Sequence, residues 1–165
     1  MIINQKVSDI IKEKFHGSVI VPEEPHNEYI QLNSENWKKI AEFIKTDKEL
    51  KFDSCQCITG IDLGEEANLE VRYNFHSMKH KHKIEIRIET ERKKPSIPSV
   101  EQVWRGADWH EREVYDMYGI RFKGHRDLRR MLLPDDWKGW PLRKDYKTPN
   151  MYNGMKVPKV RKGWD

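Results

Sequence analysis

Cysteine is nearly absent: Cys55 and Cys57 are the only two thiols in 165 residues. That excludes a disulfide scaffold, and it excludes any four-cysteine zinc or iron–sulfur cage built from this chain alone. Long apolar runs are missing too, none approaching the roughly 18 residues that a membrane-crossing helix needs. The opening stretch MIINQKVSDIIKEKF has neither a basic leader nor an apolar signal core, which predicts a protein that starts out in the cytoplasm. Nor does the chain contain a glycine-rich phosphate loop, a nucleophile elbow or a dinucleotide-binding fingerprint. With 36% apolar and 35% charged residues and a mean hydropathy of −0.93, little apolar surface is left over once one core is built. The length suits a single domain with an appendage.

The charge is unevenly placed. Residues 121–165 hold 13 Lys and Arg against 5 acids, leaving 18 basic and 22 acidic residues for the rest, so a tail of +8 follows a body of −4. Pro134, Pro141, Pro149 and Pro158 interrupt this tail among Trp137, Trp140, Tyr146, Tyr152 and Trp164, with no helical or alternating period. It is too aromatic for a linker and too poor in aliphatics for a core, the composition of an extended arm ordered by lying on another surface. The chain therefore divides into a domain over 1–120 and an extended basic arm over 121–165.

Within the domain, Asn33 or Ser34 can cap a helix carrying Trp37, Ile40, Ala41 and Ile44 on one face until Thr46 and Asp47. The period then changes to two. Leu69, Val71, Tyr73 and Phe75 alternate with polar residues, as do Ile84, Ile86 and Ile88, predicting two half-buried strands joined as an antiparallel hairpin. Phe52 to Ile61 reads as a third strand and Gly17 to Val21 as a weaker fourth. Ser99 with Gln102 has the form of a capping box, predicting that a helix begins there and continues through Val100, Val103, Ala107, Val114 and Met117 to Gly119, with Gly106 able to split it. Arg112 stands four residues from both Asp108 and Asp116, which predicts a surface ion ladder. The fold class expected is α+β: a mostly antiparallel sheet with helices packed on one face, followed by the arm.

Candidate chemistry is thin. Cys55 and Cys57, two apart on a strand, should point to one face; a shared metal would need two more ligands, and reduced core cysteines are the plainer reading. His76, His80 and His82 fall in the hairpin and read as a solvated turn rather than a metal trap. The run His110-Glu111-Arg112-Glu113-Val114 begins like a zinc-hydrolase signature, but Val114 stands where the second histidine belongs. Glu111 and Glu113 lie about 200° apart around a helix and cannot share a proton. Glu111 is instead expected in a structural or interfacial ion pair. The basic aromatic tail offers a nucleic-acid-binding reading, weakened by Asp127, Asp135, Asp136 and Asp145 among its bases.

The stretch Trp109 to Tyr146, WHEREVYDMYGIRFKGHRDLRRMLLPDDWKGWPLRKDY, closely resembles the signature region of the C subunit of the proton-pumping NADH:quinone oxidoreductase, respiratory complex I. Matching residues include Trp109, Glu111, Arg112, Glu113, Asp116, Gly119, Phe122, Gly124, His125, Leu128, Arg130, Leu132 and Pro134. The match continues through Gly139, Pro141, Leu142, Arg143, Lys144, Asp145 and Tyr146. Arg126 stands where many relatives have proline, and Trp140 where they often have histidine. Related subunits of membrane-bound hydrogenases, formate hydrogenlyase and coenzyme F420 dehydrogenases share this signature.

The resemblance implies an accessory peripheral subunit with no catalytic, cofactor-binding or metal-binding residues. FMN and iron–sulfur clusters would sit in partner subunits and quinone at the neighbouring one, on the cytoplasmic face of a bacterial or archaeal cell membrane. It also implies partners: chiefly the quinone-site subunit homologous to hydrogenase large subunits, and the adjacent iron–sulfur subunit. Trp137, Trp140 and Tyr146 are then expected as anchors. Arg112, His125, Arg129, Arg130, Arg143, Lys144 and Asp145 are expected to pair with partner groups or to close internal contacts with Glu111, Glu113 and Asp116.

Overall fold

The computed structural model describes residues 3–21 and 28–157. Pro158, Lys159, Arg161, Lys162, Trp164 and Asp165, assigned above to the arm, lie outside the described residues. Helix α1 (Ile3–Lys14), strands β1 (Val19–Ile20) and β2 (Ile30–Leu32) and helix α2 (Trp37–Thr46) come first. A meander of β3 (Ser54–Asp62), β4 (Leu69–Ser77) and β5 (His82–Thr90) follows. Then come β6 (Ser96–Pro98), α3 (Ala107–Tyr118), β7 (Arg121–Lys123) and a small hairpin of β8 (Met151–Tyr152) and β9 (Met155–Lys156).

Five strands form one sheet in the order β1-β2-β5-β4-β3, antiparallel except for the β2–β5 pair, which is parallel. Connectivity explains the exception. Helix α2 crosses the sheet face from β2 to β3, so those strands run the same way; the meander turns twice, so β5 shares the direction of β3 and hence of β2. The predicted hairpin is present in full register from Leu69↔Thr90 to Ser77↔His82.

The alternating residues of β4 and β5 supply the floor of the core. Trp37 lies 4.7 Å from Tyr73 between ring centroids, and Phe75 4.4 Å from Trp104, whose indole N–H donates to the Phe52 carbonyl at 2.9 Å. Val7 and Ile11 of α1, Ile40 and Ile44 of α2, and Val114 of α3 close the same core, so the helices occupy one face. The opposite face carries same-strand ion pairs, Glu70–Arg72 and Glu85–Arg87, each 2.6 Å. Among the described residues no helix is long and apolar enough to cross a membrane.

Three expectations fail here. The last helix begins at Ala107, not at Ser99: the Ser99 hydroxyl accepts the Glu101 N–H at 3.2 Å while donating to a carboxylate of α3, but only a single turn follows, and the Gln102 amide oxygen accepts from Lys38 at 3.2 Å instead of closing a capping box. A bulge in β3 sets Cys55 opposite Phe75 and Cys57 opposite Asn74, consecutive positions of β4; the thiols therefore face opposite sides. Cys55 packs against the core, where burial pushes its thiol up to about 12. The ladder through Arg112 does not form either, for reasons that lie at the foot of α3.

Candidate functional site

Helix α3 packs on β3, where glycine at position 60 lets Tyr118 and Val114 approach the strand backbone more closely than any side chain would permit. That contact fixes which way the helix faces. Glu111 becomes fully buried while Glu113, two residues on, is exposed. The Glu111 carboxylate accepts the Ser99 hydroxyl at 2.5 Å and the Val100 backbone N–H at 2.7 Å. Burial, with Glu101 and Asp108 nearby, pushes its carboxyl up to about 7 despite those two bonds. No cation pairs with it among the described residues, so the expected ion pair at Glu111 is corrected: it is a hydrogen-bonded buried acid that staples the 99–100 turn to α3. Glu113 has no ion pair among the described residues either.

Asp108 and Asp116 are buried rather than part of a surface ladder. Asp108 is taken by Arg126, whose hydrogen bond holds the carboxyl below its ordinary value. Asp116 has no exposed surface; its oxygens accept Arg130 Nη1 at 2.8 Å and the successive backbone N–H groups of Met131, Leu132 and Leu133 at 3.1, 2.7 and 2.9 Å. Burial alone would raise this carboxyl, but the Leu133 amide, the Arg130 guanidinium and the other two amides together hold it below the ordinary value. Arg112 is left outside, 5.6 Å from the Trp109 ring and reaching the carbonyls of Arg129 and Arg130 at 3.4 and 3.5 Å.

Arg130 is the hub of the arm. Beyond Asp116 it donates to the carbonyls of Trp137 and Gly139 at 3.1 and 2.9 Å and lies 4.5 Å from the Trp140 ring. Trp140 in turn packs edge-on to Tyr115 at 5.3 Å and fills the space beside Gly119, whose φ of +72° ends α3. Tyr146 packs against Gly139 in the same manner, and Trp137 lies 5.0 Å from Tyr152.

Further fastenings tie the arm to itself, to α3 and, through Asp62 and Arg92, to the sheet and the loop after it. Arg143 Nε donates to the Tyr118 carbonyl at 2.6 Å, and the Lys144 backbone N–H donates to Asp62 at 2.8 Å. Asp62 is also gripped by Arg92, which reaches Asp145 at 3.2 Å. His125 accepts the Asp127 N–H on Nδ1 at 3.1 Å, leaving Nε2 to face the Asp108 carbonyl at 3.3 Å; Arg129 pairs with Asp127 at 3.0 Å in solvent. Arg92, Asp62, Ser99 and Arg126 carry no short-range signal of these roles, since 30 residues separate Arg92 from Asp62.

Elsewhere, His80 and His82 use their ring nitrogens on the Lys48 and Leu50 carbonyls at 3.0 and 2.9 Å, tying the hairpin turn to the loop after α2. Among the described residues no three His, Cys, Asp or Glu side chains come together as a metal site. The apolar side chains that stay exposed at α3 and along the arm include Trp109 at 65%, Leu132 at 59% and Leu142 at 53%. Two buried polar atoms of the arm, Trp137 Nε1 and the Tyr146 hydroxyl, have no partner among the described residues. Charged contacts thus fasten the described arm to α3 and the sheet, while these apolar groups stay exposed.

Comparison with known proteins bears on what docks. The family model described as "Respiratory-chain NADH dehydrogenase, 30 Kd subunit" matches residues 30–152. The C subunit of the NADH-quinone oxidoreductase of Chloroherpeton thalassium is 47% identical over 152 residues, covering 90% of this chain and 63% of its own length. Its counterpart in Chlorobium phaeobacteroides is 42% identical over 153 residues, covering 91% and 92%. The chain thus spans less than two thirds of the first of these relatives and nearly all of the second. Among solved structures, a trypsin-resistant fragment of Nqo5 superposes with a TM-score of 0.59 at 24% identity, over 74% of this chain and 99% of that one. A chain of the membrane-bound sulfane sulfur reductase, an archaeal respiratory membrane complex, gives 0.66 at 21% identity, over 87% and 85%. At those identities the structures share the fold.

Proposed function

The chain belongs to the family of the respiratory-chain NADH dehydrogenase 30 Kd subunit, and from that premise we propose that it works as the C subunit of an NADH:quinone oxidoreductase, complex I, holding other subunits in place. Electrons pass from NADH through FMN and iron–sulfur clusters in those subunits to quinone, coupled to proton translocation, while this chain binds none of the redox groups itself. It sits on the cytoplasmic face of the cell membrane against the quinone-site subunit and the adjacent iron–sulfur subunit. One observation carries the reading. The arm is locked to α3 through the buried Arg130–Asp116 contact, yet keeps Leu132 and Leu142 exposed, as Trp109 of α3 is. A rigid apolar display of that kind is what a permanent interface requires.

The test is affinity isolation of the native chain from its own membranes, with mass spectrometry of what accompanies it and a visible spectrum of the preparation. Co-purification with the NADH-binding, iron–sulfur and quinone-site subunits is expected, the colour staying with them when this chain is stripped away. Accompaniment by hydrogenase or F420-dehydrogenase subunits would move the chain to a related complex. Nucleic acid bound with steep salt dependence, or a redox group retained by the stripped chain, would overturn the reading.

A further inference from the structure

Beside Trp140 and Gly119, at the end of α3, cations gather that the fold does not neutralise. Lys93 and Lys94 precede β6, Arg121 and Lys123 are the two exposed residues of β7 on either side of buried Phe122, and Arg143 reaches in from the arm. Together with Trp140 they line an open cavity of about 620 Å³. None of the five makes an ion pair among the described residues; Arg143 uses Nε on a backbone carbonyl, and Asp145 beside it is held by Arg92. The Ser96 hydroxyl, at the same cavity, is buried and has no hydrogen-bond partner among the described residues.

Five clustered like charges destabilise one another, and an opposite charge of matching layout relieves them. A phosphate is a poor match. Phosphate cradles rely on free backbone N–H groups converging on a point. Here the Ser96, Gly119, Arg121 and Arg143 amides already donate to Thr90, Tyr115, Pro95 and Trp140, and Pro95 has no N–H. The cations are instead spread over three segments. Arg121 and Lys123 stand about 7 Å apart along their strand, the repeat of same-face side chains in any extended peptide.

We propose that this cavity receives an extended acidic segment of a neighbouring subunit, its carboxylates two residues apart and facing Lys93, Lys94, Arg121, Lys123 and Arg143, with Trp140 supplying an apolar wall. The inference rests on the complex I reading and extends it by naming a surface and the chemistry of what fills it.

The experiment uses the isolated complex. A carbodiimide joins a lysine amine to a carboxylate only when the two are in contact, so treatment of the complex should yield cross-linked peptides pairing Lys93, Lys94 or Lys123 with Asp or Glu of one co-purifying subunit. Acetic anhydride should modify these lysines more slowly in the complex than in the stripped chain, by about tenfold if the segment is docked about 90% of the time. The variant Lys93→Gln with Lys94→Gln, both exposed and outside the core, should lose those cross-links and release the chain at lower salt. Equal acetylation in both states with no cross-links would overturn this inference and leave the family-based assignment standing. Protection that disappears on delipidation, or that phosphate reproduces in the stripped chain, would also overturn it. A chain that isolates alone would overturn both.

Discussion

Glu111 is a carboxyl held by a hydroxyl and an amide in a site closed to water, and its titration has a definite sign. Burial raises it from 4.5 to about 7. Below the lower value both folded and unfolded chains are protonated. As pH rises the unfolded chain ionises first, so the folded state holds the extra proton and loses stability steadily until pH passes about 7, a total of about 3 kcal/mol. Glu111→Gln, which keeps an acceptor and cannot ionise, should match the parent at about pH 4 and exceed its stability by up to about 3 kcal/mol near pH 8, read by urea unfolding across pH. Parallel profiles would mean that Glu111 ionises normally. The opposite fates of Glu111 and Glu113 are legible from helical geometry alone. The partners of Glu111 are not, since Ser99 lies 12 residues away and its hydroxyl is, by spacing, committed to a capping box.

Elements succeed or fail as sequence readings according to how local their causes are. The β4–β5 hairpin announces itself because alternation within each strand and a short turn suffice to set it. Strand β2, three residues long, is invisible in isolation; its parallel pairing follows from where α2 and the meander deliver the chain. The misread ladder on α3 is of the same kind. Spacing of four makes Arg112 a neighbour of Asp108 and Asp116, but packing on β3 turns both acids toward the arm, where a half-exposed Arg126 takes Asp108 and Arg130 takes Asp116 in a buried contact. Removing one partner of such a contact leaves the other desolvated. With Arg130 only 11% exposed, Asp116→Asn should cost about 3–5 kcal/mol and free the arm before the sheet. Trypsin should then cut rapidly after Lys138 and Lys144 while the segment from Ser54 to Thr90 stays resistant, timed on gels against the parent. Because the folded carboxyl of Asp116 lies below 3.8, its contribution is complete above that value and disappears only as pH falls through the lower folded one, so neutral buffers will not release the arm.

At the scale of the whole molecule, the division into a weakly acidic body and a basic tail is plain in the composition, but composition cannot say what the tail lies on. Part of the answer is the chain's own α3: Trp140 fills the space at Gly119, and Arg143 and Lys144 bond the Tyr118 carbonyl and Asp62. Tryptophans that look equivalent in the sequence therefore divide into two kinds. Trp140 is an internal strut, and truncating a packed aromatic of that size costs about 3–5 kcal/mol. Trp109 is 65% exposed, with Arg112 5.6 Å from its ring, so its side chain adds little to the fold. Trp140→Ala should lower the melting temperature of the isolated chain and, through that, the amount of complex formed. Trp109→Ala should leave the isolated chain within about 0.5 kcal/mol of the parent. It should nevertheless weaken incorporation by about 2 kcal/mol, roughly thirtyfold, as a tryptophan at the centre of an interface does. Titrating each purified variant into complex stripped of this chain, beside thermal melts of the variants alone, separates the two effects. Full-strength incorporation of Trp109→Ala would place the docking surface elsewhere on the molecule and leave the cationic cavity beside Trp140 as the principal contact.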